Sequence, residues 1–301
     1  MVPTILILGA GASIPYKFPS TESLRLSIIN EALNLSNNTQ ELEEYKLFRQ
    51  DVISFQQSFK KGVIYIDQFL ENQPKYLKIG KILLAKSLLQ YENPKNIFEI
   101  EIENDWYRFL IDTIIDSESR YKLQPLTILT FNYDRSLEFY LYSVLTSRYS
   151  FTEEQCKEQF SQIKIYHLYG SLGLLPWQSN ENNSDKIIQY GTNLTPGTIL
   201  RAINSLKIIY ERDDNNIWEI LPELYKYHHR IFFLGFGYNK INLKRLQLKE
   251  FDKMRFCCGT SMKIGKIEKR FIHTISDERL QPSNLINIDI INLFKNHFGL
   301  D

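Results

Sequence analysis

The stretch Thr4-Ile5-Leu6-Ile7-Leu8-Gly9-Ala10-Gly11-Ala12-Ser13 decides how the rest of this chain is read. Its first half is a near-continuous apolar run without alternation, which is what a strand covered on both faces requires. Its second half is a turn of small residues, followed within a few positions by a helical pattern. Small residues at that place let backbone N–H groups approach a phosphate at the positive end of a helix. The turn has the form G-x-G-x-S; it lacks the third glycine of the dehydrogenase fingerprint, and no strand with an acidic ribose ligand follows about 20 residues later. Alone, it equally fits a tight turn that packs a helix on a strand.

Five further runs have the same texture: residues 126–130, 164–167, 230–234, 254–258 and 285–290. Between them, residues 20–33, 135–145 and 217–227 carry apolar side chains at spacings of three and four, the mark of amphipathic helices. The gap between the first and second strands is too long for one crossover helix, and 41–59, 76–89 and 97–115 also read as helices. The fold class expected is therefore α/β, a Rossmann-like doubly wound parallel sheet with an inserted helical module. The core covers 1–30 and 125–301, and the module covers 31–124. Residues 172–216, with Pro176, Pro196 and an Asn/Ser cluster, read as a loop-rich insertion within the core.

Composition bounds the function. The chain has 301 residues, with Lys+Arg 36 against Asp+Glu 35, a formal charge of +1. Chains that coat nucleic acid or anionic membranes normally show a basic excess. The cysteines Cys156, Cys257 and Cys258 are too few for a disulfide framework or a four-cysteine zinc module. No Lys or Arg precedes Lys17, so the charged start of a secretory signal is missing, and nothing approaches the ~20 apolar residues of a membrane span. These features suggest a cytoplasmic protein.

The text at the ends of the other strands is polar and unusual. The second runs into Thr130-Phe131-Asn132-Tyr133-Asp134, the third into His167-Leu168-Tyr169-Gly170-Ser171, and the fourth into Gly235-Phe236-Gly237-Tyr238-Asn239. Each piece has an ordinary use: Asn132 and Asp134 could start a helix, His167 could be a satisfied buried histidine, and Gly235 with Gly237 could make a sharp turn. In an open α/β sheet, however, ligands bind outside the carboxyl ends of the strands, so these segments and the glycine turn would converge on one crevice.

In this order and spacing, Gly-Ala-Gly-Ala-Ser, Phe-Asn-Tyr-Asp, His-Leu-Tyr-Gly-Ser and Gly-Phe-Gly-Tyr resemble the sirtuin-like superfamily. The similarity is closer to its bacterial antiphage-defence branch than to the deacetylases. Weaker similarities at Ile66-Asp67-Gln68-Phe69-Leu70, Trp106-Tyr107 and Leu285-Ile286-Asn287-Ile288-Asp289 extend it over nearly the whole chain. The resemblance implies that Gly9, Ala10, Gly11, Ala12 and Ser13 hold the pyrophosphate of NAD+, with Thr21 nearby. Asn132 and Asp134 would flank the nicotinamide and its ribose, and His167 would act on the ribose hydroxyls. Gly235, Phe236, Gly237 and Asn287 would line the adenosine side. Asn132 and His167 are thus the expected catalytic pair, Asn132 orienting water or nicotinamide and a neutral His167 accepting a hydroxyl proton.

The paired cysteines that hold zinc in deacetylases are absent, and no acyl-lysine channel can be read from 172–216. The expected activity is therefore a hydrolase that cleaves the nicotinamide–ribose bond of NAD+, an NAD-depleting effector without zinc. An NAD-dependent protein deacylase and a non-catalytic NAD or ADP-ribose scaffold are the alternatives. Resemblance further implies a homo-oligomer, with 31–124 as a candidate contact surface, and a HerA-type hexameric ATPase partner through which any nucleic acid would be reached.

Overall fold

A computed structural model of the chain describes residues 2–38, 43–62, 65–98, 101–116, 122–179, 183–207 and 217–298. The strands are β1 (Thr4–Leu8), β2 (Ile115–Asp116), β3 (Lys122–Leu123), β4 (Leu126–Thr130), β5 (Ile163–His167), β6 (Arg230–Leu234), β7 (Phe256–Thr260) and β8 (Leu285–Ile286). β2 and β3 form a small antiparallel pair of their own. The other six make one parallel sheet in the order β5-β4-β1-β6-β7-β8. The chain thus builds outward from β1 in one direction, returns, and builds outward from β6 in the other. This is the strand order of doubly wound dinucleotide-binding folds, with its topological switch point between β1 and β6.

Alternation along the strands explains why both faces are covered. Ile5 and Ile7 of β1, Leu129 of β4 and Ile231 and Phe233 of β6 belong to one buried core. Leu6 and Leu8, Ile128, and Phe232 and Leu234 belong to the other. The first core is closed by α1 (Thr21–Asn38), α2 (Glu43–Lys61), α3 (Ile66–Asn72), α4 (Leu77–Leu89) and, after the short α5 (Lys95–Phe98), by later helices. The second is closed by α6 (Trp106–Ile114), α7 (Ser136–Arg148) and α8 (Glu153–Phe160). Residues between β1 and β4 therefore pack on both faces of the sheet. Cys257 and Cys258, successive residues of β7, enter opposite cores and stay free thiols, as does Cys156.

Several expected boundaries move. The run 285–290 pairs over Leu285–Ile286 only, because Asp289 accepts the Asn292 N–H at 2.8 Å and starts a helix at Ile290. The run 254–258 pairs two residues later, and Met254 is 92% exposed. The helix expected over 97–115 is two, α5 and α6, the second opened by Asp105 accepting the Arg108 N–H. Within 172–216 lies α9 (Pro196–Ser205), capped by Thr195, which accepts the Thr198 N–H; residues 180–182 and 208–216 lie outside the described residues. α10 (Ile217–Tyr227), α11 (Lys240–Arg245), α12 (Lys266–Ile275) and α13 (Ile290–His297) complete the helices used below. Among the described residues, no helix is long and apolar enough to cross a membrane.

Candidate functional site

The register brings the strand ends level. Leu8 lies opposite both Thr130 and Leu234, and Thr130 lies opposite His167. The pairing runs one residue further, with the Phe131 N–H on the Leu8 carbonyl at 3.0 Å and the Gly9 N–H on the Leu234 carbonyl at 3.0 Å. The turns after β1, β4 and β6 therefore meet at the switch point. They border one cleft, the kind of concavity in which small molecules and cofactors bind. Its wall includes Gly9, Ala10, Ser13, Thr21, Asn132, Asp134, Phe236 and Gly237. Eight of the expected site residues thus share one concavity.

The glycines have a different job from the expected one. A Cβ on Gly9 would lie 2.7 Å from the Gly235 carbonyl, and one on Gly11 would lie 2.8 Å from the Gly235 Cα. Gly235 takes φ +56°, and a Cβ there would meet the Ala12 nitrogen at 2.1 Å. The two turns are packed backbone on backbone. Their N–H groups are spent accordingly: Gly11 donates to Gly235 at 2.9 Å, Ala12 to Gly9 at 2.9 Å and Ser13 to Ala10 at 3.2 Å. Ala10, first residue of the 3-10 turn Ala10–Ala12, has the N–H that such a turn leaves unbonded. Gly11, Ala12 and Gly235 build the turn and do not line the cleft. The loop is braced from α6, whose Trp106 indole donates to the Ala12 carbonyl at 2.7 Å.

Asn132 is held at the centre. Its Nδ2 donates to the Gly9 carbonyl and to Ser13 Oγ, both at 3.0 Å. A carbonyl can only accept, so the amide orientation is fixed and Oδ1 is left as an acceptor at the cleft. The Ser13 hydroxyl in turn donates to Asp134 Oδ2 at 2.9 Å. The other oxygen, Oδ1, takes the Ser136 N–H at 3.2 Å and the Ser136 hydroxyl. Tyr107 backs that hydroxyl at 2.7 Å. Burial pushes the Asp134 carboxyl up, and the Ser136 and Ser13 hydrogen bonds pull against it. With both oxygens engaged, Asp134 fixes the loop and starts α7.

His167 stands apart. Its Nδ1 lies 2.8 Å from the Asn132 carbonyl, which must accept, and its Nε2 lies 2.6 Å from Glu138 Oε1. Burial would lower the imidazole pKa, but Glu138, ionically and by hydrogen bond, and the Asn132 carbonyl raise it above the ordinary value. Nδ1 therefore donates to the Asn132 carbonyl and Nε2 is taken up by the Glu138 carboxyl, so neither nitrogen is the free acceptor that the sequence reading expects. The ring borders a second pocket with Arg135, Glu138, Ser171 and Trp177. Asn287 is exposed at the bend after β8 and does not line the cleft.

Sequence reasoning missed several wall residues. Arg25 of α1 lines the cleft; its Nη2 donates to the Lys60 carbonyl at 2.7 Å, and its buried Nε has no partner among the described residues. Asp67, Tyr133 and Tyr169 line it as well. Asp67 and Tyr133 stand inside the quoted motifs, so their identity was visible and their role was not. Among the described residues no group of three or more His, Cys, Asp or Glu could hold a metal ion. Neither a protein-family model nor a curated protein matches the chain.

Proposed function

We propose that the protein is an NAD+ glycohydrolase, releasing nicotinamide and ADP-ribose. The observation that carries this reading is the Asn132 amide, locked onto the small-residue turn after β1 at the switch-point cleft. That position is where doubly wound folds bind dinucleotides. Arg25 supplies a cation on the wall, and the Ala10 N–H a donor, for the pyrophosphate.

The chemistry suits such a site. The nicotinamide leaving group departs as a neutral ring from a cationic one, so acid assistance is unnecessary. The cost lies in the oxocarbenium-like state at C1′ and in placing water behind it. A fixed amide oxygen can accept a hydrogen bond from that water without adding charge. His167 holds the Asn132 backbone from behind and acts as a positioning residue in this scheme.

The pinned His167 ring favours a second reading, a scaffold that binds NAD+ or ADP-ribose without turnover. Incubation of the purified chain with NAD+, followed by product analysis and ADP-ribose calorimetry, separates the two. Nicotinamide release that Asn132→Ala abolishes supports the hydrolase. Binding with intact NAD+ under all conditions supports the scaffold, and acyl-lysine cleavage would point to the deacylase. An antiphage role, self-association and a HerA-type ATPase partner are part of the same proposal; sizing after co-expression tests the last two.

A further inference from the structure

Hydrolysis needs a base for the attacking water, and the cleft contains few groups that could serve. Asp134 is engaged at both oxygens by Ser13 and Ser136, and His167 is outside the cleft with both ring nitrogens used. Arg25 is a cation. Among the described residues the remaining carboxylate on the wall is Asp67, in the first turn of α3. The cation that acts on it, Arg245, is already committed elsewhere. Arg245 of α11 binds both oxygens of Glu71 at 3.0 and 3.1 Å and donates to the Tyr169 hydroxyl at 2.9 Å, which donates to Asn242 at 2.6 Å.

A second observation points to a ligand. Tyr133 borders the same cleft, the residue is only 7% exposed, and among the described residues its buried hydroxyl has no hydrogen-bond partner. Buried hydroxyls are rarely left so, and a substrate oxygen would satisfy it.

We infer that Asp67 is a catalytic residue of the glycohydrolase proposed above, the base for the attacking water, with the Tyr133 hydroxyl donating to a ribose oxygen of NAD+. The inference rests on that reading of the cleft. In the step, the C1′–N bond breaks and its electron pair leaves with nicotinamide. The water oxygen bonds to C1′, its proton passes to the Asp67 carboxylate and thence to solvent, and nothing is oxidised or reduced.

The surroundings tune Asp67 for this work. Burial raises its pKa to about 6; its own backbone N–H and Arg245 pull it down, and Glu71 pushes it up. Tyr133 and Tyr169 face it as neutral phenols, their own pKa values raised chiefly by burial and further by Asp67. Arg25 and Tyr65 share the wall. A carboxyl of that pKa is ionised at neutral pH yet far more basic than a solvated one.

The test compares the full chain with Asp67→Asn. In the wild type, kcat/KM for NAD+ falls below pH about 6. The variant loses that limb and about 100-fold or more in kcat, while ADP-ribose affinity is retained. Azide, which attacks C1′ without releasing a proton, restores turnover in the variant as ADP-ribosyl azide. A variant as fast as wild type, a wild-type profile flat from pH 5 to 8, or a loss that azide does not rescue overturns the role of Asp67. Wild-type chain that binds ADP-ribose but never cleaves NAD+ overturns instead the hydrolase reading itself. The wild-type pH profile needs no variant, so misfolding of Asp67→Asn cannot obscure the answer.

Discussion

His167 Nε2 and Glu138 Oε1 lie 2.6 Å apart at the end of β5, and this pair engages a histidine that the sequence leaves open between a satisfied buried residue and, by resemblance, a catalytic one. The pair gives stability a pH dependence. An imidazole held above its ordinary value contributes stability that is complete below the unfolded value of roughly 6.5 and is lost as pH rises through the folded value. The advantage of wild type over Glu138→Gln in urea unfolding should therefore shrink from pH 6 to pH 9. Glu138→Leu, which leaves Nε2 without its partner, should cost about 2 kcal/mol near neutrality. Equal differences at both pH values would show that the pair does not carry the charge.

The contact between the turns after β1 and β6 predicts a sharp asymmetry between two glycines. Gly235→Ala places a Cβ against the Ala12 nitrogen in a left-handed backbone. Strain and overpacking together should cost about 2–5 kcal/mol. In Gly237→Ala the nearest atom is the Tyr65 hydroxyl at 3.8 Å, so stability should stay within about 0.5 kcal/mol of wild type. Thermal melts of the two variants decide the matter, and equal Tm values would contradict the packing.

Behind the site, Arg135 and Glu92 form a buried ion pair, 1% and 3% exposed, and Arg135 also donates to the Ile188 carbonyl at 2.7 Å. Burial raises the Glu92 carboxyl pKa even with Arg135 opposing it. Arg135→Leu strands that carboxyl and should cost about 3–5 kcal/mol, whereas Arg135→Leu with Glu92→Leu should cost much less. Denaturant titration of the three chains measures the coupling; additive losses would mean that the two side chains act independently.

The fold was legible where buried strands end in turn text. β1, β4 and β6 occupy the runs read from composition, because a parallel strand covered on both faces leaves a continuous apolar record. The edge strand β8 was overread since its apolar residues continue into Asp289 and α13, and only a cap distinguishes the two. The convergence of the Asn132 and Gly9 segments followed from strand ends alone. What the sequence could not reveal is which partners consume a functional group. The N–H groups of Gly9 and Gly11 go to β6 and its turn, and the nitrogens of His167 go to Asn132 and Glu138, through contacts 29 or more residues apart. The place of Asp67 is likewise a tertiary fact, set by how α3 lies at the cleft wall.

Asp67 also predicts a tension between stability and the proposed activity. Its carboxyl has a folded pKa of about 6 against an ordinary value of 3.8. Below the ordinary value both states are protonated and the group is neutral to folding. As pH rises through the folded value, the native state must carry a charge that burial disfavours, and stability is lost. Asp67→Asn removes that charge and keeps the shape. At pH 7.5 the variant should therefore unfold at higher urea, by on the order of 1 kcal/mol, and the gain should vanish near pH 4. A variant less stable than wild type at pH 7.5 would mean that the ionised carboxylate is satisfied inside the protein, leaving no such cost for a bound substrate and its water to relieve.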